Sequence, residues 1–83
     1  MLDLDAADVV VLVRDGCHLC DDAVHIIDRV CQDVHASWQA FDVDEDADVR
    51  AQYTDHVPVT FVRGAQHALW FVDETALRTA LVG

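Results

Sequence analysis

The chain has 83 residues, 53% hydrophobic and 25% charged, which fits a single globular domain over residues 1–83. Its sixteen acidic residues stand against five arginines and no lysine, and the net charge of −11 disfavours a nucleic-acid partner because such a surface repels phosphate. The first residues are acidic, whereas a secretory signal would begin with basic residues. Apolar runs such as Val9–Val13 are far shorter than the ~20 residues that cross a bilayer. We therefore expect a cytoplasmic monomer without membrane contact.

The first predicted elements are a strand and a long helix. Val9–Val13 is apolar and mostly β-branched, which is typical of a central strand buried on both faces. From Cys17 or His18 to Val34, apolar residues recur at steps of three and four. This spacing predicts one amphipathic helix directly after the strand.

A second strand and a short helix follow. Ser37–Val43 has the composition of a strand. After it comes an acidic segment in which Asp46 or Asp48 can cap a helix that ends near Tyr53. Strand, helix, strand and helix in this order predict an α/β domain that opens with parallel strands.

The second half predicts a β-hairpin and a last helix. Val59–Arg63 and Gln66–Val72 are extended runs on either side of Gly64. Asp73 can cap a helix whose apolar positions are Ala76, Leu77, Ala80 and Leu81. The total order, β-α-β-α-β-β-α with a four-stranded mixed sheet flanked by helices, is that of a minimal thioredoxin-like fold.

Two cysteines, Cys17 and Cys20, lie at the junction between the first strand and the first helix. Thiols three residues apart in a reducing compartment favour redox or metal chemistry over a structural disulfide framework. The start of a helix stabilises a thiolate, and Arg14 is close enough in sequence to help. Nearby carboxylates such as Asp15 oppose this effect because negative charge disfavours ionisation.

The third cysteine, Cys31, is separated from this pair by the length of the helix. Eleven residues beyond Cys20 it shares the same helix face but lies about 16 Å further along the axis. A disulfide needs Cα atoms within ~7 Å of one another. We therefore expect Cys31 to be a core residue.

Four features make the sequence resemble the small glutaredoxin-like proteins of the thioredoxin superfamily. They are the Cys17-x-x-Cys20 motif after the first strand, Arg14 before it, Val57-Pro58 before the third strand, and the closing hairpin with its helix. The resemblance implies a thiol–disulfide oxidoreductase. In it Cys17 would be the nucleophile and Cys20 the resolving thiol that releases the reduced substrate.

The resemblance also gives expectations for residues around the motif. Pro58 matches a proline that is cis throughout the superfamily, and the Val57 backbone would pair with an extended substrate segment. His18 would act electrostatically on the thiolate, or else face solvent and pair with Asp22. His56 stands where glutaredoxins commonly carry threonine, and its role is open.

Glutathione or another small thiol is the co-substrate that the resemblance implies, and a protein disulfide is the other substrate class. Arg14 matches the residue that glutaredoxins use near the glycine carboxylate. The Gly-Gly pattern of the opposite side is absent, because the chain has Leu69-Trp70-Phe71-Val72 there, while Asp73 stands at the expected helix start. No resident cofactor is expected.

Two other functions fit the same residues. Cys17, Cys20 and a nearby histidine could hold zinc or an iron–sulfur cluster, although structural zinc sites use four ligands, often in two pairs, and no second pair is present. A redox-inert binding module with the same fold is the other alternative, since fold alone does not establish activity.

Overall fold

The computed structural model describes residues 2–82 and has the predicted order of elements. A short 3-10 helix at Val43–Glu45, which was not predicted, joins β2 to α2. The strands and helices are β1 (Val9–Val13), α1 (His18–Val34), β2 (Trp38–Asp42), α2 (Ala47–Tyr53), β3 (Val59–Val62), β4 (Ala65–Leu69) and α3 (Glu74–Val82).

The four strands form one mixed sheet in the order β2-β1-β3-β4. β1 is parallel to β2 and antiparallel to β3, and β3 is antiparallel to β4. Leu12 near the end of β1 pairs with Val59 at the start of β3. The loop after β1 and the loop before β3 therefore lie at the same end of the sheet.

Strand β1 is buried on both faces, as its apolar sequence predicts. Val9 and Val11 pack in the cluster formed with α1 and α3, whereas Val10 and Leu12 pack on the opposite face with Val49 of α2. These four residues are at most 2% exposed, while Val13 at the end of β1 is partly buried. Burying a side chain of this size stabilises the fold by roughly 1.5–3 kcal/mol, so β1 anchors both layers of the core.

Helices α1 and α3 pack side by side on one face of the sheet. Leu77 and Leu81 of α3 are buried in the same cluster as Ile27 of α1. Ion pairs such as Arg78–Asp33 (2.6 Å) also join the two helices, but exposed pairs of this kind contribute little, so the apolar contact carries the packing. Among residues 2–82, none of the helices has both the length and the hydropathy that a membrane span requires.

The predicted boundaries differ from the observed ones mainly at the end of the hairpin. β4 ends at Leu69 and not at Val72, because Trp70 adopts a left-handed backbone with φ 61°. The Trp70 N–H then donates to the Pro58 carbonyl at 2.8 Å. The residues after Leu69 consequently leave the sheet and turn toward the loop before β3.

Two polar contacts fix the remaining element ends. Asp46, one of the two predicted caps of α2, accepts hydrogen bonds from the backbone N–H groups of Asp48 (3.0 Å) and Val49 (3.2 Å). Ser37 lies before β2 instead of within it, and its N–H donates to the Asp8 carboxylate at 3.0 Å. This contact joins the start of β2 to the start of β1.

Candidate active site

The Cys17–Cys20 pair lies at the end of the sheet where β1 ends and α1 begins. The two residues form a disulfide with a Cα–Cα distance of 5.1 Å. Cys17 is partly exposed, whereas Cys20 is only 2% exposed. Cys17 is therefore the more accessible residue of the pair and Cys20 lies in the core, which is the asymmetry expected of a nucleophilic and a resolving thiol.

The backbone around the pair explains how Cys17 is presented. Gly16 has φ 75°, a conformation that favours glycine, and it turns the chain out of β1. Cys17 is then the N-cap of α1, and its sulfur accepts a hydrogen bond from the Cys20 N–H at 3.1 Å. The unpaired N–H groups of a first helical turn stabilise negative charge, so the same position favours a thiolate after reduction.

Arg14 is held by partners on the α2 side of the site. Its Nε lies 3.2 Å from a carboxylate oxygen of Asp44, and its Nη1 donates to the Thr54 hydroxyl at 2.7 Å. Within residues 2–82 it makes no hydrogen bond to Cys17. Asp44 and Thr54 are contacts that the sequence analysis did not find, because both lie at least 30 residues away along the chain.

The loop before β3 lies at the same end of the sheet as the cysteine pair. The Val57–Pro58 peptide bond is cis, as the resemblance implies, and Pro58 is fully buried. In the described chain, no hydrogen bond occupies the N–H or C=O of Val57. These groups are free to pair with an extended segment of another molecule, while their contact with substrate remains a prediction.

Trp70 holds this loop, a role that the sequence analysis missed. In addition to its backbone contact with Pro58, its indole N–H donates to the Asp55 carbonyl at 3.2 Å. Its ring stacks on His56 with centroids 6.1 Å apart. No local pattern predicts contacts between residues twelve to fifteen positions apart, although the two unassigned aromatic side chains, His56 and Trp70, were the available hint.

The remaining predicted site residues differ in what they contact. His18 is exposed and, within the described residues, forms no hydrogen bond with Asp22. Asp73 is the N-cap of α3, where its Oδ1 accepts from the Ala76 N–H at 3.0 Å. One oxygen of Asp73 is thus used by its own helix, and a role in substrate binding stays a prediction for both residues.

Cys31 lies in the core, as the helix geometry predicts. It is 1% exposed and is not part of the disulfide. Burial, together with the carboxylates of Asp8 and Asp28, raises the pKa of its thiol to about 11. A thiol in this state is a poor nucleophile near neutral pH.

Two open grooves flank the start of α1. The apolar groove lies between α1 and the residues after β4, has a volume of about 430 Å³, and is lined in part by Leu19, Trp70 and Phe71. The acidic groove, on the β2 side, reaches Cys20 and is lined by the carboxylates Asp15, Asp21, Asp28 and Asp42. Asp22 contributes a further carboxylate to the apolar groove.

Metal ligation was the alternative use of the cysteine pair. Across residues 2–82, no three His, Cys, Asp or Glu side chains cluster in a way that would hold a metal ion. Cys31 is separated from the pair within the core.

The fold and the Cys-x-x-Cys junction together define a protein of the thioredoxin and glutaredoxin fold class. Wheat glutaredoxin superposes with a TM-score of 0.60 over 94% of this chain and 82% of its own, at 22% identity. Protein XcR50 from X. campestris superposes with a TM-score of 0.70, at 28% identity, over 86% of this chain and 91% of its own.

The sequence comparison is more specific. Residues 8–82 match the glutaredoxin-like domain family (DUF836), and the chain belongs to this family. An uncharacterized protein of Mycobacterium tuberculosis is 31% identical over 75 residues, which are 84% of this chain and 77% of that protein. The predicted resemblance to small glutaredoxin-like proteins is confirmed, and the Cys17-x-x-Cys20 spacing fits a thiol–disulfide fold.

Proposed function

We propose that the protein is a thiol–disulfide oxidoreductase that exchanges two electrons through Cys17 and Cys20. The observation that carries this proposal is the asymmetry of the pair, with a partly exposed Cys17 at the N-cap of α1 and a buried Cys20 already joined to it. An inert structural pair would not need one partly exposed cysteine at a helix N-terminus.

The reaction follows from this arrangement. In the reduced protein, the Cys17 thiolate attacks a substrate disulfide, and the departing substrate sulfur takes up a proton. The Cys20 thiol then loses its proton and attacks the Cys17 sulfur, which releases the second substrate thiol and forms the Cys17–Cys20 disulfide. The substrate gains two electrons and two protons, and a cellular dithiol or pair of thiols returns them to the protein.

Glutathione is less favoured than a polypeptide as the partner in this exchange. Arg14, the residue expected near the glycine carboxylate, is already bound by Asp44 and Thr54. Trp70 and Phe71 occupy the region that is glycine-rich in glutaredoxins. We propose reaction in the cytoplasm, where thiols are kept reduced, with a protein disulfide as the main substrate.

A single-turnover experiment tests the exchange itself. Pre-reduced protein, freed of reductant, is mixed with bis(2-hydroxyethyl) disulfide, and alkylated samples are analysed by mass spectrometry. We expect the wild type to end as the Cys17–Cys20 disulfide and Cys20→Ser to stop at a mixed disulfide on Cys17. Cys17→Ser should form no adduct at position 17, and Cys31→Ala should behave as wild type. If the wild-type protein stays reduced, the proposed function is wrong.

A further inference from the structure

Exposed apolar side chains are concentrated beside the cysteine pair. Leu19, located between the two cysteines, is 36% exposed, Trp70 is 43% exposed and Phe71 is 72% exposed. All three line the apolar groove. Its volume, about 430 Å³, falls within the roughly 300–1,000 Å³ of ligand pockets, so it can hold a large apolar side chain.

Carboxylates outnumber cationic side chains around the same site, where Arg14 is the one arginine in the lining of the acidic groove. Asp15, Asp21 and Asp22 flank the pair, and in the described structure no arginine lies within 4.0 Å of their carboxylates. The guanidinium of Arg14 is paired with Asp44 and Thr54. The other four arginines have partners away from the cysteine pair: Arg29 with Glu74, Arg50 with Asp44, Arg63 with the carbonyls of Ala80 and Leu81, and Arg78 with Asp33 and Glu74. His25 is the basic side chain in the lining of both grooves.

We propose that the substrate is a polypeptide disulfide flanked by lysine or arginine and carrying an apolar side chain that enters the apolar groove. This inference rests on the proposed thiol–disulfide exchange and adds its substrate class. The cationic residues would lie against Asp21 and Asp22, and the extended backbone would pair with the free N–H and C=O of Val57. Glutathione disulfide is negatively charged and has no large apolar side chain, so it lacks both features.

Matched peptides test the charge requirement. Two short peptides share the same internal disulfide and one phenylalanine and differ only in two flanking residues, which are arginine in one and glutamate in the other. With reduced protein at low ionic strength, we expect the arginine peptide to be reduced about tenfold faster, since complementary charge raises association rates by roughly 10–10³. At 0.5 M salt the ratio should fall below about threefold, because charges are screened beyond a few ångströms.

Variants test the two surfaces separately. Phe71→Ser should lower the rate with the arginine peptide, relative to the rate with bis(2-hydroxyethyl) disulfide, by about tenfold, the loss expected for one well-buried aromatic contact. Asp22→Asn should lower the ratio of arginine to glutamate peptide about threefold, an effect of one nearby charge. The controls Val82→Ser and Asp5→Asn remove an exposed apolar side chain and a carboxylate at the opposite end of the sheet and should leave both ratios unchanged.

The outcomes separate this inference from the function on which it rests. If bis(2-hydroxyethyl) disulfide is reduced but the two peptides react at equal rates, or glutathione disulfide reacts faster than the arginine peptide, the substrate class is wrong and the exchange stands. If Phe71→Ser leaves the rate with the arginine peptide unchanged relative to the rate with bis(2-hydroxyethyl) disulfide, the apolar groove does not bind the substrate side chain. If no disulfide is reduced at all, both proposals fail.

Discussion

The contacts of Trp70 predict a measurable coupling between the end of β4 and the loop before β3. Trp70→Ala removes the indole hydrogen bond to Asp55 and the stacking on His56. A hydrogen bond contributes about 0.5–1.5 kcal/mol and an aromatic pair about 0.5–1.5 kcal/mol, so their sum is about 1–3 kcal/mol. Because Trp70 is 43% exposed, we expect Trp70→Ala to lower the free energy of unfolding by an amount in the lower half of this range, about 1.5 kcal/mol.

Two further substitutions divide this loss into its parts. Trp70→Phe keeps an aromatic ring but lacks the N–H donor, and should lose about 1 kcal/mol. Trp70→Gly loses the same contacts as alanine but relieves the left-handed backbone at φ 61°, so it should be about 1 kcal/mol more stable than Trp70→Ala.

Urea unfolding followed by circular dichroism gives these differences as shifts in the midpoint at constant slope. A loss of less than about 0.5 kcal/mol for Trp70→Ala, or a Trp70→Phe variant no more stable than Trp70→Ala, would contradict this role of Trp70. Either result would mean that the loop keeps its position without the tryptophan.

Three further predictions concern residues outside the Cys17–Cys20 pair. Hydrogen bonds from Ser37 lower the pKa of Asp8. The ionised carboxylate should therefore stabilise the fold at neutral pH, and this stabilisation should be lost as the pH falls through the lowered pKa. We expect Asp8→Asn to make the stability less dependent on pH in the acid range, as measured by thermal unfolding. Cys31, with a pKa of about 11, should be alkylated by iodoacetamide at pH 8 only when the chain unfolds, and labelling at native rates without denaturant would contradict its burial. Arg63→Gln removes two hydrogen bonds to the last carbonyls of α3 and should cost about 1 kcal/mol by urea unfolding, and an unchanged midpoint would show that the helix end needs no side-chain partner.

The elements that were predicted well are those whose signal is local. The amphipathic stripe of α1 places Cys20, Ile27 and Cys31 on one buried face, and the structure has the helix at His18–Val34. Val9–Val13 is buried on both sides because the run has no polar position to expose. The three-residue spacing of the cysteines is enough to put their Cα atoms at disulfide distance.

What the sequence did not predict depends on contacts between distant segments. Nothing near Arg14 in the chain indicates that Asp44 and Thr54 would hold its guanidinium. The sequence predicts Trp70 to be part of a strand, because aromatic residues favour strands and a positive φ is rare for them. The tertiary hydrogen bond to Pro58 overrides that preference, and it moves Phe71 out of the sheet to the apolar groove.

The most direct test of the central claim is a redox equilibrium of the wild-type protein in dithiol–disulfide buffers, with mass-resolved alkylation of each cysteine. We predict one reversible two-electron transition in which Cys17 and Cys20 change together while Cys31 stays reduced throughout. A transition that involved Cys31, or a pair that did not equilibrate with the buffer, would contradict it.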